Sequence, residues 1–211
     1  MRQIRKVIST VNYEPEDLRT LREIFSTSEF VQLDQSDTKG ILQEVSDADV
    51  AILEADLDER FLGKNSLKWI HCNHAGLNKS ARPEVFERGI ILTGSAGRSS
   101  PVLAEHCVYF MLNACYHTHE LLAAQYAHQW GVAGQSEWRG LFGRTAGIIG
   151  MGNNGKMLAE RLHAFGMDII GYDRNEIEGF DYLKYKLNAS KGDNLDPLYA
   201  ESDFVILCIA L

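Results

Sequence analysis

The stretch that most limits what this chain can fold into is Thr145 to Arg174, TAGIIGMGNNGKMLAERLHAFGMDIIGYDR. Ala146 to Ile149 is a short apolar strand that runs directly into Gly150, Gly152 and Gly155, a GxGxxG. Lys156 to Phe165 follows with Leu158, Leu162 and Phe165 on one helical face, and Gly166 stands where a helix stops. Asp168 to Tyr172 is a second apolar strand, and Asp173 closes it. A GxGxxG alone is a weak signal. Set between a strand and a helix, with an acid about 20 residues on, it is the sequence pattern of a nucleotide-binding β-α-β unit.

Each residue type has a task in such a unit. Gly150 permits the tight turn, Gly152 allows close approach of the backbone to a pyrophosphate, and Gly155 lets the helix pack on the strand. The amides of Asn153, Asn154 and Gly155 open the helix and carry its partial positive charge. Asp173 can accept from both hydroxyls of an adenosine ribose and repels a 2′-phosphate, which favours NAD over NADP. Arg174 beside it weakens that preference, because a guanidinium can meet a phosphate. A methyltransferase also holds its cofactor over a glycine-rich turn with a following acid; the third glycine favours the dinucleotide.

The rest of the chain repeats the α/β rhythm. Lys6 to Val11, Phe30 to Leu33, Asp49 to Leu53, Leu67 to Cys72 and Gly89 to Thr93 read as strands. Pro15 to Phe25, Thr38 to Val45 and Ser80 to Glu87 read as helices between them. Such alternation predicts βαβ units around a parallel sheet. Ser100-Pro101 resembles an N-cap followed by proline at the first helical position. From Val102 to Trp130 there is neither glycine nor proline, so one long helix or two abutting ones are expected, too apolar for a free surface. Gly131 to Gly155 holds eight of the 18 glycines, and this shift in composition reads as a domain junction. The fold class expected is α/β, with two Rossmann-like parallel-sheet domains, the second incomplete.

Composition narrows the function. With 21 Lys+Arg against 29 Asp+Glu and no basic stripe, the net charge of −8 argues against nucleic acid as a partner. No apolar run reaches the ~18 residues of a membrane span, and the N-terminal apolar stretch is too short for a signal peptide, so a cytoplasmic protein is expected. Cys72, Cys107, Cys115 and Cys208 form no CxxC pair and read as reduced thiols. His71-Cys72-Asn73-His74 invites a metal reading, but only alternate side chains of a strand share a face; no metal site is expected. His117 and His119, two apart on the expected helix, should not face each other and should be solvated. His106 and His163 read as helix-face residues, and Trp69, Trp130 and Trp138 as core or interface anchors.

The whole pattern resembles the D-isomer-specific 2-hydroxyacid dehydrogenases. LKWIHCNHAGLN is similar to the family's strand and substrate loop, and GIILTGSAGRSSPVLAEHCVYFML to the segment that crosses into the nucleotide domain, with Leu103-Ala104-Glu105 at the family's Val-Ala-Glu. RTAGIIGMGNNGKMLAERLHAFGMDIIGYD is close to the family fingerprint, and SDFVILCIAL to the strand beyond the adenine pocket, where Cys208 and Ile209 would line the cofactor.

The resemblance implies a substrate domain over 1–98 and an NAD domain over 99–211. It also implies amides of Ala75 and Gly76 on the substrate carboxylate, and a homodimer formed through the Val102–Trp130 helix. The implied activity is oxidation of a D-2-hydroxy acid, or reduction of the 2-keto acid, with NAD.

There are departures. Asn153-Asn154 replaces a common Arg-Ile, and Ala210 stands where proline is usual. The family's catalytic Arg, Glu and His follow the strand that here closes at Leu211, so no catalytic residue is assigned within this sequence. Phe204 to Leu211, uncharged throughout, reads as a central buried strand cut off from its connections, which implies a truncated chain. The alternative expectation is an NAD-binding module or sensor without turnover.

Overall fold

The computed structural model describes residues 3–209. The chain forms two compact units, Met1–Arg98 and Ser99–Leu211. Both are α/β with parallel sheets.

In the first unit β1 (Lys6–Ser9), β2 (Glu29–Gln32), β3 (Val50–Leu53), β4 (Trp69–Cys72) and β5 (Ile91–Gly94) pair in the order β2-β1-β3-β4-β5. The crossovers carry α1 (Pro15–Ile24), α2 (Thr38–Glu44), α3 (Glu59–Leu62) and α4 (Pro83–Glu87). β1 and β3 are buried at every position, which is why they read as unbroken apolar runs rather than alternating ones. One sheet face packs Ile8, Ala51, Leu53, Ile70 and Cys72 against Ile41, Phe61 and Val85; the other packs Val7, Val50 and Ile52 against Phe25 and Trp69. Local capping sets the helix starts. Asp37 Oδ1 accepts from the Gly40 amide at 2.9 Å, Asp58 Oδ1 accepts from that of Arg60 at 2.9 Å, and Pro15 and Pro83 open α1 and α4. The last of these is shorter than the Ser80–Glu87 helix expected from sequence, because Pro83 supplies its first turn and leaves residues 80–82 outside.

The second unit contains α5 (Ser100–Cys115), α6 (Thr118–Tyr126), β6 (Thr145–Ile149), α7 (Asn153–Ala164), β7 (Asp168–Asp173), β8 (Tyr185–Asn188), α8 (Asp196–Glu201) and β9 (Phe204–Leu207). The sheet order is β8-β7-β6-β9. Ala104, Val108 and Met111 recur at helical spacing along α5 and meet Leu158, Ala159 and Leu162 of α7 in one core. No helix among the described residues is long and apolar enough to cross a membrane.

Several sequence expectations are corrected. The glycine-rich Gly131–Gly155 tract is no junction; it lies inside the second unit. Its glycines Gly131, Gly134, Gly143 and Gly150 take positive φ, so they turn the chain within that unit. The Val102–Trp130 segment takes the second of its two expected forms, two abutting helices; only the place of the break is new, at His117 with φ 43°, a left-handed conformation that no glycine or proline announced. Ser99, not Ser100, is the residue before α5, and Ser100 is its first residue. The helix expected from Lys156 begins three residues earlier, at Asn153, because Gly152 serves as its cap position. Within the described residues β9 pairs with β6 and leaves alternate residues exposed, Leu207 by 66%. Ala210 and Leu211 lie outside the described residues.

Candidate functional site

β6 delivers the chain into a turn whose geometry only glycine tolerates at two places. Gly150 has φ 97°, and a Cβ there would lie 2.6 Å from the Cys208 carbonyl oxygen. A Cβ on Gly155 would sit 2.0 Å from the carbonyl oxygen of Gly150, so the first turn of α7 closes onto the end of β6 only because position 155 has no side chain. At Gly152, by contrast, a Cβ would meet nothing within 4 Å, so the backbone there faces open space.

Around this turn Ile149, Gly150, Gly152, Tyr172, Asp173, Arg174, Asn175, Ala189, Cys208 and Ile209 line a groove of about 610 Å³. Asn153, Asn154 and Gly155 form the first turn of α7 beside it. Among the described residues their three amides donate to no protein acceptor, as the open end of a helix requires.

Asp173 closes β7 and is held from both sides. Its Oδ2 accepts from the Met151 amide at 2.7 Å and its Oδ1 from the Asn175 amide at 2.8 Å. Each oxygen keeps a lone pair for a further donor, so the carboxylate is fixed in place without being used up. The link to Met151 also ties the acid to the glycine turn, which spacing alone did not reveal. Cys208 contributes a neutral thiol to the wall: burial, with Cys107 nearby, pushes it up to about 11.

A second tie was also invisible in the sequence. Ser100 at the start of α5 is almost wholly buried, and its hydroxyl donates to Asn154 Oδ1 at 2.6 Å, across 54 positions of chain. No local pattern marks this pair.

In the first unit, Ala75 and Gly76 lie in the loop after β4 and are exposed. Their amides donate to no protein acceptor among the described residues. Preceding them, His71 Nδ1 meets Thr93 Oγ1 at 2.9 Å and its Nε2 meets Ser95 Oγ at 3.2 Å. Burial, with His74 nearby, lowers its pKa and keeps the ring neutral. Cys72 points into the core on the other face of β4, so His71 and Cys72 do not converge.

His117 and His119 reach solvent, as expected, but they do face each other. The break between α5 and α6 brings their rings to 6.3 Å, and His117 stacks on Trp138 at 4.7 Å while meeting Glu120 Oε1 at 2.9 Å. His106 stacks on Phe110, and His163 lies over Tyr182 with ring centres 3.9 Å apart. Trp130 is fully exposed and anchors no core.

The donors and acceptors around the groove fit a dinucleotide: free amides at a helix start for phosphates, an open backbone at Gly152, and a fixed carboxylate for ribose hydroxyls. Comparison with known proteins agrees. Residues 108–211 match the family described as D-isomer specific 2-hydroxyacid dehydrogenase, NAD binding domain. The hydroxypyruvate reductase of Thermotoga maritima is 30% identical over 200 residues, covering 92% of this chain and 60% of that protein. The glyoxylate reductase of Pyrococcus furiosus is 26% identical over 218 residues, covering 98% of this chain and 63% of the relative. The chain therefore spans about three fifths of the length of these relatives. In fold it is similar to the NAD-complexed D-isomer specific 2-hydroxyacid dehydrogenase of Lactobacillus delbrueckii ssp. bulgaricus, with a TM-score of 0.76 at 20% identity over 98% of this chain and 63% of that one. The chain is thus similar over most of its length to D-isomer-specific 2-hydroxyacid dehydrogenases, and residues 108–211 carry sequence of their NAD-binding domain.

Proposed function

We propose that this protein is an NAD-dependent oxidoreductase acting on the CH–OH group of a small D-2-hydroxy acid, or reducing the corresponding 2-keto acid. The observation that carries the reading is the groove at the end of β6, where unpartnered amides and a fixed Asp173 carboxylate surround a glycine turn. In this reading Gly150, Gly152 and Gly155 shape the phosphate turn, and the amides of Asn153, Asn154 and Gly155 receive the pyrophosphate. Asp173 takes the ribose hydroxyls, and Cys208 and Ile209 form apolar wall. When bound, the nicotinamide supplies the hydride site that exchanges with C2 of the substrate.

The unit 1–98 serves as the substrate domain and 99–211 as the NAD domain. The amides of Ala75 and Gly76 donate to the substrate carboxylate, a charge-assisted contact that orients C2. No histidine of this chain is given the proton; His71 is engaged by Thr93 and Ser95. The exposed apolar face of α5, with Val102, Leu103, Tyr109 and Phe110, is the surface on which a homodimer would form.

The test is a pair of titrations with NADH and NADPH, together with turnover assays on glyoxylate, hydroxypyruvate and pyruvate. The unmodified protein should prefer NADH. In Asp173→Ala, NADH affinity should fall roughly 10-fold, the loss expected for a charged hydrogen-bond acceptor, while NADPH changes less. Equal loss of both would mean that Asp173 does not read the ribose. NADH binding without turnover of any 2-keto acid would leave a binding module in place of the oxidoreductase.

A further inference from the structure

The second residue of the GxGxxG interval that departs from the family's usual Arg-Ile is Asn154, and its side chain is not idle. A carboxamide has one oxygen to accept and two N–H bonds to donate. The buried hydroxyl of Ser100 occupies that oxygen at 2.6 Å, which fixes which end of the amide is which. The two Nδ2 hydrogens then lie on the opposite side of the group, and among the described residues they donate to no protein acceptor. They belong to the same helical turn as three unpartnered backbone amides. A cluster of donors without acceptors at the start of a 12-residue helix calls for an anion.

We infer that Ser100 is a positioning residue for the cofactor's pyrophosphate, acting through Asn154: its hydroxyl holds the carboxamide oxygen so that Nδ2 adds a neutral side-chain donor to the phosphate turn. This rests on the NAD reading above and goes beyond it, since the phosphate contacts assigned so far are all backbone. The geometry requires an alcohol at 100 and a carboxamide at 154.

The experiment compares three ligands on the unmodified protein and its variants: NADH and ADP-ribose, which carry the pyrophosphate, and adenosine, which does not. Ser100→Ala and Asn154→Ala should each weaken NADH and ADP-ribose about 5- to 10-fold, the effect of one hydrogen bond to a charged group, and leave adenosine within about twofold. Asn154→Asp keeps the acceptor for Ser100 but places a negative charge at the phosphate, so it should weaken both pyrophosphate ligands more than Asn154→Ala does. The double variant should be no weaker than Asn154→Ala alone, because the two residues act as one unit. Ser100→Thr, which keeps the hydroxyl, should retain NADH affinity.

Adenosine weakened in step with NADH, or NADH affinity unmoved by either alanine, overturns the inference while leaving the NAD site standing. Should Ser100→Ala fail to fold, the two Asn154 variants decide the matter on the same criterion. An unmodified protein that binds neither NADH nor ADP-ribose overturns both the inference and the reading beneath it.

Discussion

At Gly155 two small effects of opposite sign compete. Alanine is the better helix former by about 1 kcal/mol, so on propensity alone Gly155→Ala should stabilise α7. The Cβ would, however, lie 2.0 Å from the Gly150 carbonyl oxygen, a backbone atom that cannot swing aside. Relieving that overlap moves the start of α7 off the end of β6, at a cost of about 1–3 kcal/mol for overpacking. Gly155→Ala should therefore lower the melting temperature and weaken NADH binding together, as read by thermal melts and a fluorescence titration. A variant that melts higher and binds normally would show that the turn relaxes freely. The same contact explains why this glycine was legible in the sequence. The turn is short, so a few neighbouring residues determine whether a side chain fits. Asp173 was legible for a related reason: it ends a strand that the glycine helix feeds directly. Its bond to the Met151 amide was not, because a hydrogen-bond partner is a matter of distance in space.

At the scale of elements, the parallel strands and most helices were visible as apolar runs and helical spacing, and the starts of α4 and α7 each moved by three residues. What the local pattern left open or misplaced shares one cause. The position of the break at His117 and the place of the glycine tract inside the second unit depend on what lies alongside, not on the local pattern. A buried acid beside β3 offers a test at this scale. Asp49 is 1% exposed, and its Oδ2 accepts from the Arg5 amide at 2.8 Å while Oδ1 accepts from the Lys68 ammonium. Burial pushes its carboxyl up, but the hydrogen bonds from Lys68 and Arg5 outweigh burial and hold it down at about 2. A folded pKa below the unfolded value of about 3.9 means stability that is full above that value and is lost as pH falls towards about 2. Asp49→Asn should cost about 2–3 kcal/mol at neutral pH, and the gap to the unmodified protein should narrow between about pH 4 and about pH 2. Urea titrations across that window check it; a gap that stays constant would show that the charge of Asp49 does not stabilise the strand.

For the molecule as a whole, α5 shows how one helix serves two surfaces. Ala104, Val108, Met111 and Cys115 are buried against the second unit's core, while Val102 and Phe110 are 60% and 64% exposed. An apolar helix with only one face covered supports the homodimer proposed above. If it forms there, Phe110→Glu should halve the solution mass from twice the 23.7 kDa chain to a single chain, with the fold retained because the side chain is exposed. Light scattering after size exclusion reads this directly. A mass unchanged by the charge would move the interface elsewhere. The residue spacing along a covalent chain was enough to specify the strand, turn, helix and acid of the nucleotide unit, because glycine turns, helical spacing and β-branching act locally. The strand order β8-β7-β6-β9, the face of α5 that meets α7, and the hydroxyl of Ser100 on Asn154 were settled only when distant segments packed together. Those contacts follow from burying apolar surface and satisfying buried polar groups in three dimensions, and no periodicity along the chain records which partner fulfils that demand.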